Sequence, residues 1–588
     1  MDFPAMTPLG VLPSGVGSSP PSTDGLARLN NGRRRAVDRL VDALAALGVT
    51  HVFGVGGANI EDLYDALHCN PAVTGVLAKH EFSACTMADG YARVTGRLGV
   101  VATTSGGGAL NVVSALGEAY TSRIPVLALV GQPPTRLDGL GAFQDSSGRG
   151  GSLDAERVFG SVARFCARVN SPDELIIRFR EAASAALSSP RGPAVLLLPK
   201  DVQQAPSDVV LTELLRARVE TAPLERELSA AASTLESARR AGGVLVIAGD
   251  GIARADVRDH LARLVDKLGA RVAVTPDAKD VFDNGDHRFV GVSGGMGHPT
   301  VVEGLADSSA CLLVGTRLPV VARDGLDELL ANRPVVCLSP ERPYVDAAVV
   351  TGDLRASLPA LVGRLSLVSG GVLDHKQRIR YLEPPPHSGS GLGYREVMAA
   401  IDESLPRDAA VFADAGNCGA AAIHHLSAPR HGRFVVTLGM GGMGYTFGAA
   451  IGASFADTDR QRRVYVIAGD GAFYMHGFEL HTAVEHGLPI TFVILNNNAH
   501  AMCVTREQVL YGGGYSYNRF GRARLATGIN AMFPSLDARN ATTTEGLARA
   551  LADTCATREP AFISVDCDVD EIPPVRSFLN KEMIPCPR

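Results

Sequence analysis

Short apolar runs that end in glycine or a polar residue, each followed by a helical stretch, recur along the chain and leave it few folds to adopt. The first set is THVFGVGG, VTGVLA, GVVATTS, PVLALVG and AVLLLP. The second is VLVIAG, RVAVTP, ACLLVG and PVVCLS, and the third is AAVFADAG, RFVVTLG, RVYVIAGDG, ITFVILNNN and AFISVD. Continuous Val, Ile and Leu without polar alternation marks strands buried on both faces, the condition of a parallel sheet covered by helices. Segments between them, such as AVDRLVDALAALGV, are apolar at helical spacing. The expected fold is therefore α/β, with three doubly wound parallel-sheet domains. A length of 588 residues suits three or four domains of roughly 150 residues each.

Composition sets the expected boundaries. Residues 1–30, rich in Pro, Gly and Ser, read as a disordered arm. The first domain is expected over 31–205, the central one over 220–365, a Pro/Gly/Ser linker over 366–393, the third domain over 394–575 and a tail over 576–588. A net charge of −6 points to neither nucleic acid nor a membrane surface as partner. No apolar run reaches the ~18 residues of a membrane-spanning helix. The first residues lack the basic-then-apolar order of a secretion signal. Ten cysteines without a CxxC, several inside apolar runs, read as reduced thiols of a cytoplasmic protein.

Chemistry concentrates in the third block. Ligands of open parallel sheets bind outside the carboxyl ends of the strands. RVYVIA ends in Gly469-Asp470-Gly471, FELHTAVEH is expected to cross over as a helix, and ITFVIL ends in Asn496-Asn497-Asn498. A right-handed crossover brings both ends to one sheet edge. Asp470 and Asn497 then offer hard oxygens from neighbouring strands, as a Mg²⁺ or Ca²⁺ ion bridging to a phosphate requires. Gly471 and Ala472 let the backbone approach a diphosphate, and the following helix turns its N-terminus toward it. An ordinary strand-end turn with Asp470 as N-cap is the plainer alternative.

GDG, a helix, and an apolar run ending in NN resemble the thiamin diphosphate motif. From about residue 34 to 570 the chain resembles the acetolactate synthase / pyruvate oxidase family of thiamin diphosphate enzymes. The resemblance implies pyrimidine-binding, central and diphosphate-binding domains in that order, with thiamin diphosphate and Mg²⁺ as cofactors. It also implies a homodimer or homotetramer whose site lies between the first domain of one subunit and the third of another. KHEFSACTMADGYARVTGRLGV places Glu81 at the cofactor-activating glutamate, in a buried setting that would tune its acidity. TTSGGGALNVVSALGEAYTSRIPVLALVGQ matches the next strand and helix, and GAFQ places Phe143 and Gln144 along the substrate pocket. DAGNCG sets Gly416, Asn417 and Cys418 against the diphosphate. GMGGMGYTFGAAIGA sets Met443 under the bent cofactor, with Gly441 beside it. Gly469, Gly471, Ala472 and Met502 complete the implied cofactor contacts. Asp470, Asn497 and the carbonyl of Ala499 are the implied metal ligands.

The implied reaction decarboxylates a 2-oxo acid such as pyruvate and transfers the acyl carbanion to an aldehyde or keto acid. A simple decarboxylase or oxidase, a non-decarboxylating acyloin lyase and a non-catalytic cofactor-binding protein are the alternatives. An intact Glu81, Asp470 and Asn497 speak against the last. His-His pairs mark the decarboxylases of the superfamily, but His424-His425 lies in the wrong domain and reads as structural. GMGGMG also fits GxGxxG, although the next acid sits inside GDG, which a diphosphate–metal site explains better than a dinucleotide. Two departures bear on the acceptor. Arg506 stands where acetolactate synthases carry a tryptophan, and the stretch from Val158 to Phe165 lacks the expected lysine. GDGI at 249–252, GGMGH at 294–298 and GTR at 315–317 leave FAD in the central domain open.

Overall fold

The computed structural model describes residues 34–209, 222–366, 378–387, 389–429, 431–457 and 461–579. The expected arm lies outside them, as do parts of the expected linker and tail. Three six-stranded sheets follow one another along the chain, and every strand pair in them is parallel.

The first sheet comprises β1 (His51–Gly54), β2 (Thr74–Leu77), β3 (Gly99–Thr103), β4 (Val126–Gln132), β5 (Phe165–Arg168) and β6 (Ala194–Pro199), in the order β2-β1-β3-β4-β6-β5. The central sheet comprises β7 (Val244–Ala248), β8 (Arg271–Val274), β9 (Phe289–Val292), β10 (Ala310–Val314), β11 (Val335–Leu338) and β12 (Ala348–Val350), in the order β12-β11-β10-β7-β8-β9. The third comprises β13 (Ala410–Ala413), β14 (Arg433–Val436), β15 (Val464–Gly469), β16 (Ile490–Asn496), β17 (Asp537–Ala541) and β18 (Ala561–Asp566), in the order β14-β13-β15-β16-β18-β17. The first and third sheets thus share one strand order. The central sheet has the order found in dinucleotide-binding folds, with its switch point between β7 and β10.

Two equivalent helices join the outer units. Helix Glu81–Thr95 follows β2, and helix Tyr445–Ala456 follows β14, the strand in the matching place. They cross on glycines. A Cβ on Gly90 would lie 2.0 Å from the Ala449 carbonyl oxygen, and one on Gly452 would lie 1.9 Å from the Met87 carbonyl oxygen. Only hydrogen at those positions allows the backbones so close. The contact merges one face of the first sheet and one face of the third into a single apolar core, in which Phe53, Val101, Phe447 and Phe492 are fully buried. Among the described residues no helix is long and apolar enough to cross a membrane, and no disulfide joins the nine described cysteines.

One local expectation is corrected. The crossover helix does not begin at Phe478. It begins at Asp470 itself, as helix Asp470–His476, and passes through a 3₁₀ turn into Leu480–Glu485. Nothing in GDGAFYMH forbids helical backbone once Gly469, extended at φ −82° and ψ 160°, takes the cap position. Asp470 is therefore anchored in a helical first turn and is not loop.

Candidate cofactor and metal site

The switch point of the third sheet lies between β13 and β15, which are paired with Ala413 beside Ile467. Next to it β15 pairs with β16, Gly469 beside Leu495. The ends of these three strands deliver Gly416–Cys418, Gly469–Ala472 and Asn496–Ala499 to one sheet edge, so the predicted residues of the third domain do come together.

Asp470 is fully buried, yet neither carboxylate oxygen has a hydrogen-bond partner, and the same holds for Oδ1 of Asn497 and Oδ1 of Asn417. Burial pushes the Asp470 carboxyl up to about 7. The nearby N–H groups of Gly471, Asn498 and Ala499 offset part of this without closing a hydrogen bond. Buried acceptors without donors are costly and rare. The three on Asp470 and Asn497, from one carboxylate and one amide at adjacent strand ends, suit a hard divalent cation that would take its remaining ligands from water and phosphate. Among the described residues no group of three or more His, Cys, Asp or Glu side chains is placed to hold a metal, so phosphate oxygens would have to complete this one. A diphosphate fits the backbone here. Gly416 opens helix Asn417–His425 at φ 108°, and nothing lies within 4 Å of the Cβ position of either Gly416 or Gly469. At Gly471 a Cβ would stand 2.4 Å from Nδ1 of His500 and 3.5 Å from Cε of Met443, so a side chain there would fill the space between those two residues.

The loop bearing Met443 hangs from two buried carboxylates. Asp414, at the end of β13, accepts from Gly444 N at 2.9 Å, Thr446 N at 3.1 Å and Thr446 Oγ1 at 2.6 Å. Glu118, on helix Val113–Thr121 of the first domain, accepts from Met440 N at 2.6 Å and Gly441 N at 3.2 Å. Sequence reasoning assigned neither acid a role. Asp414 stood within the quoted DAGNCG without one, and Glu118 looked like any helical acid. Cys418 is buried with its thiol turned back to the carbonyls of Asp414 and Ala415, and burial pushes it up to about 12. Met502 is half-buried on helix Ala501–Tyr511, and Arg506 on the same helix is exposed. His424 lies at the far end of its helix from Asn417, stacked on His298 at 4.6 Å.

Glu81 and Gln144 meet across a glycine turn. Cβ positions at Gly108 and Gly106 would lie 2.9 Å from Oε1 of Glu81 and 2.9 Å from Cγ of Gln144. Asn111 Nδ2 donates to Glu81 at 2.9 Å. Gln144 takes φ 61°, a strained value for a side-chain-bearing residue, and its Oε1 accepts from Thr104 and Ser105 at 3.4 Å each. Phe143 is 78% exposed. The expected buried setting of Glu81 is not found within one chain. Its carboxylate is half-buried and, among the described residues, makes no hydrogen bond or ion pair with the third domain. The chain thus brings the predicted residues together as two half-sites.

Family models match all three units. Residues 34–149 match the thiamine pyrophosphate enzyme N-terminal TPP binding domain, 228–361 the central domain and 414–565 the C-terminal TPP binding domain. The chain belongs to the thiamine pyrophosphate enzyme family. It is 31% identical over 503 residues to the acetolactate synthase large subunit of Parasynechococcus marenigrum, covering 81% of this chain and 78% of that one. It is 27% identical over 510 residues to the acetolactate synthase large subunit of Corynebacterium glutamicum, covering 83% and 80%. An X-ray structure of a Mycobacterium smegmatis protein described as thiamin diphosphate-dependent shares the fold, with a TM-score of 0.76 at 22% identity over 91% of this chain and 99% of that one. This thiamine pyrophosphate enzyme is acetolactate synthase-like.

Proposed function

We propose that the enzyme is a Mg²⁺-dependent carboligase that decarboxylates a 2-oxo acid such as pyruvate and transfers its acyl unit to an aldehyde or keto acid. The observation that carries this reading is the set of unpartnered oxygens on Asp470 and Asn497 at adjacent strand ends. Asp470, Asn497 and the Ala499 carbonyl hold Mg²⁺, while the amides of Gly416–Cys418 and Gly471–Ala472 receive the diphosphate. Met443 would support the cofactor when it is bound, on a loop fixed by Asp414 and Glu118. Thiamin diphosphate, when bound, supplies an electron sink for the carbanion left by CO₂. Glu81 holds the proton that sets the cofactor's aminopyrimidine tautomer. Phe143 and Gln144 line the substrate entry.

A second copy of the chain completes the site. Leu77, Leu110, Leu140 and Phe143 are exposed in the first domain, and Met440, Tyr474, Met475 and Phe478 in the third. Exposed apolar side chains in both domains suit a subunit interface. Covering them would give Glu81 the buried setting its role needs. Soluble cytoplasmic residence belongs to the same proposal.

A separate observation favours FAD or a like dinucleotide in the central domain. A cavity of about 520 Å³ opens at its strand ends, lined by Gly251, Gly315, Thr316 and Ser339, at the switch point of a dinucleotide-type sheet. The bidentate Arg123–Glu341 pair, at 2.8 Å, lies in the same cavity and would have to be accommodated. Flavin absorbance of the purified protein decides between an occupied and an empty cleft.

The functional test is CO₂ release with thiamin diphosphate and Mg²⁺ over a panel of 2-oxo acids, with and without acceptors. Acceptor-dependent release that falls on the order of 100-fold in Glu81→Gln and Asp470→Ala supports the carboligase. Release without an acceptor points to a decarboxylase or oxidase. No release from any acid sinks the 2-oxo acid reading.

A further inference from the structure

Two asparagine amides meet on one phenol. Tyr394, fully buried at the start of helix Tyr394–Ser404, accepts from Nδ2 of Asn417 at 3.2 Å and from Nδ2 of Asn497 at 3.4 Å. Its backbone N–H donates to Glu571 at 2.8 Å, which fixes where the ring begins. Thr505 Oγ1 accepts from Asn417 Nδ2 at 3.3 Å, while its own proton goes to the Ala501 carbonyl at 3.0 Å. Thr505 can therefore only accept, and the Asn417 amide must present nitrogen to it. An amide is a donor at one end and an acceptor at the other. Turning both nitrogens onto Tyr394 turns both Oδ1 atoms away from it, and those are two of the unpartnered oxygens of the site.

We propose that Tyr394 is a positioning residue for the metal site, holding the carbonyl oxygen of Asn497 toward it. This rests on reading Asp470 and Asn497 as metal ligands. Without the phenol oxygen the Asn497 amide is free to rotate. The unsatisfied Asp470 carboxylate at the neighbouring strand end then offers an acceptor for its N–H. That bond would close the site against a cation and present the wrong end of the amide. No local sequence signal marks Tyr394, because the phenol reaches the site only through the packing of its helix on Asn417–His425.

The test uses the full-length protein with thiamin diphosphate and Mn²⁺ as probe, free Mn²⁺ being read by electron paramagnetic resonance. Tyr394→Phe keeps the ring and is expected to raise the Mn²⁺ Kd about tenfold or more, as loss of a ligand-orienting partner does elsewhere. A lower unfolding midpoint with an unchanged Kd is what a merely structural tyrosine gives, and it overturns the proposal. Asn497→Asp in the Tyr394→Phe background replaces the amide by a group that accepts at both ends. It is expected to recover most of the lost affinity, and failure to recover counts against amide orientation. Should Tyr394→Phe not fold, a crystal structure of the wild-type protein with thiamin diphosphate and Mn²⁺ is expected to show the Asn497 carbonyl oxygen on the ion and its amide nitrogen on the Tyr394 phenol oxygen. An Asn497 amide that keeps the phenol contact without its carbonyl reaching the ion, or that reaches the ion with the phenol contact broken, overturns the proposal. Wild-type protein that binds no Mn²⁺ would sink the metal reading and this inference with it. Wild-type binding beside an indifferent variant sinks only the role of Tyr394.

Discussion

The first and third sheets share one strand order, yet their strand ends are finished differently. After β15 comes Asp470, buried with both oxygens unpartnered. After β3, in the matching place, come Thr104 and Ser105, whose hydroxyls are occupied. Thr104 Oγ1 accepts from Asn59 N at 3.3 Å and donates to Gln144, and Ser105 Oγ accepts from Asn59 Nδ2 at 2.7 Å. The scaffold sets where a ligand can sit. The few residues past each strand decide whether the edge is left charged and open or closed on itself. In the first domain the proposed catalytic carboxylate, Glu81, lies instead beyond β2. The matching position beyond β14 carries the Met443 loop.

The largest effect expected from this difference is on stability as a function of pH. Folding raises the Asp470 carboxyl from its ordinary 3.8 to about 7, so the folded state favours the protonated form. Stability is then intact at low pH and lost as pH rises from about 4 through 7. Asp470→Asn removes that loss. Without metal, the variant should match wild type near pH 4 and exceed it near pH 8 by up to about 4 kcal/mol, read by urea unfolding. Mg²⁺ with thiamin diphosphate should reverse the order at pH 8. A constant difference across pH would mean that the carboxylate finds a donor in solution.

Thr104→Asp tries to give the first sheet the same edge. Thr104 is buried, with the Asn59 N–H as a backbone donor and no free amide oxygen beside it to share a cation, so the new carboxylate should cost about 3 kcal/mol. It should create no second metal site, and Mn²⁺ binding should stay at one ion per chain. A second ion would show that the strand-end acid alone is enough. Glu118→Gln tests the hydrogen-bonded tie from the first domain to the Met443 loop. It keeps one acceptor oxygen but loses charge, so about 1 kcal/mol of stability and a several-fold loss of thiamin diphosphate affinity are expected, read by calorimetry. Unchanged affinity would mean that Asp414 holds the loop unaided.

The strands that the apolar pattern misses share a physical cause. β5, β9, β12 and β17 all lie at sheet edges. An edge strand is covered less completely, and three of the four show it. β5 is largely half-buried, β12 (Ala348–Val350) is buried only at Val350, and β17 (Asp537–Ala541) is buried only at Ala538 and Ala541. β9 is buried throughout but carries a glycine at its centre, Gly291, and a shifted register against β8. The strands that the sequence shows as continuous apolar runs are mostly central ones with helices on both faces. The candidate site was legible for the same reason: GDG and NNN interrupt central runs, where a polar residue stands out.

The sequence by itself determined the fold class, the three blocks, and the placing of Asp470 and Asn497 at neighbouring strand ends, because strand periodicity and strand-end chemistry are written in neighbouring residues. It also carried Glu81, Gln144 and Met443 through resemblance to a family. Only the tertiary structure decided that the outer sheets share one topology, that Glu118 of the first domain and Asp414 of the third both hold the Met443 loop, and that Tyr394 receives two amides at once. Those contacts join residues tens to hundreds of positions apart. Their partners are chosen by how helices pack across a sheet, and no local pattern encodes that.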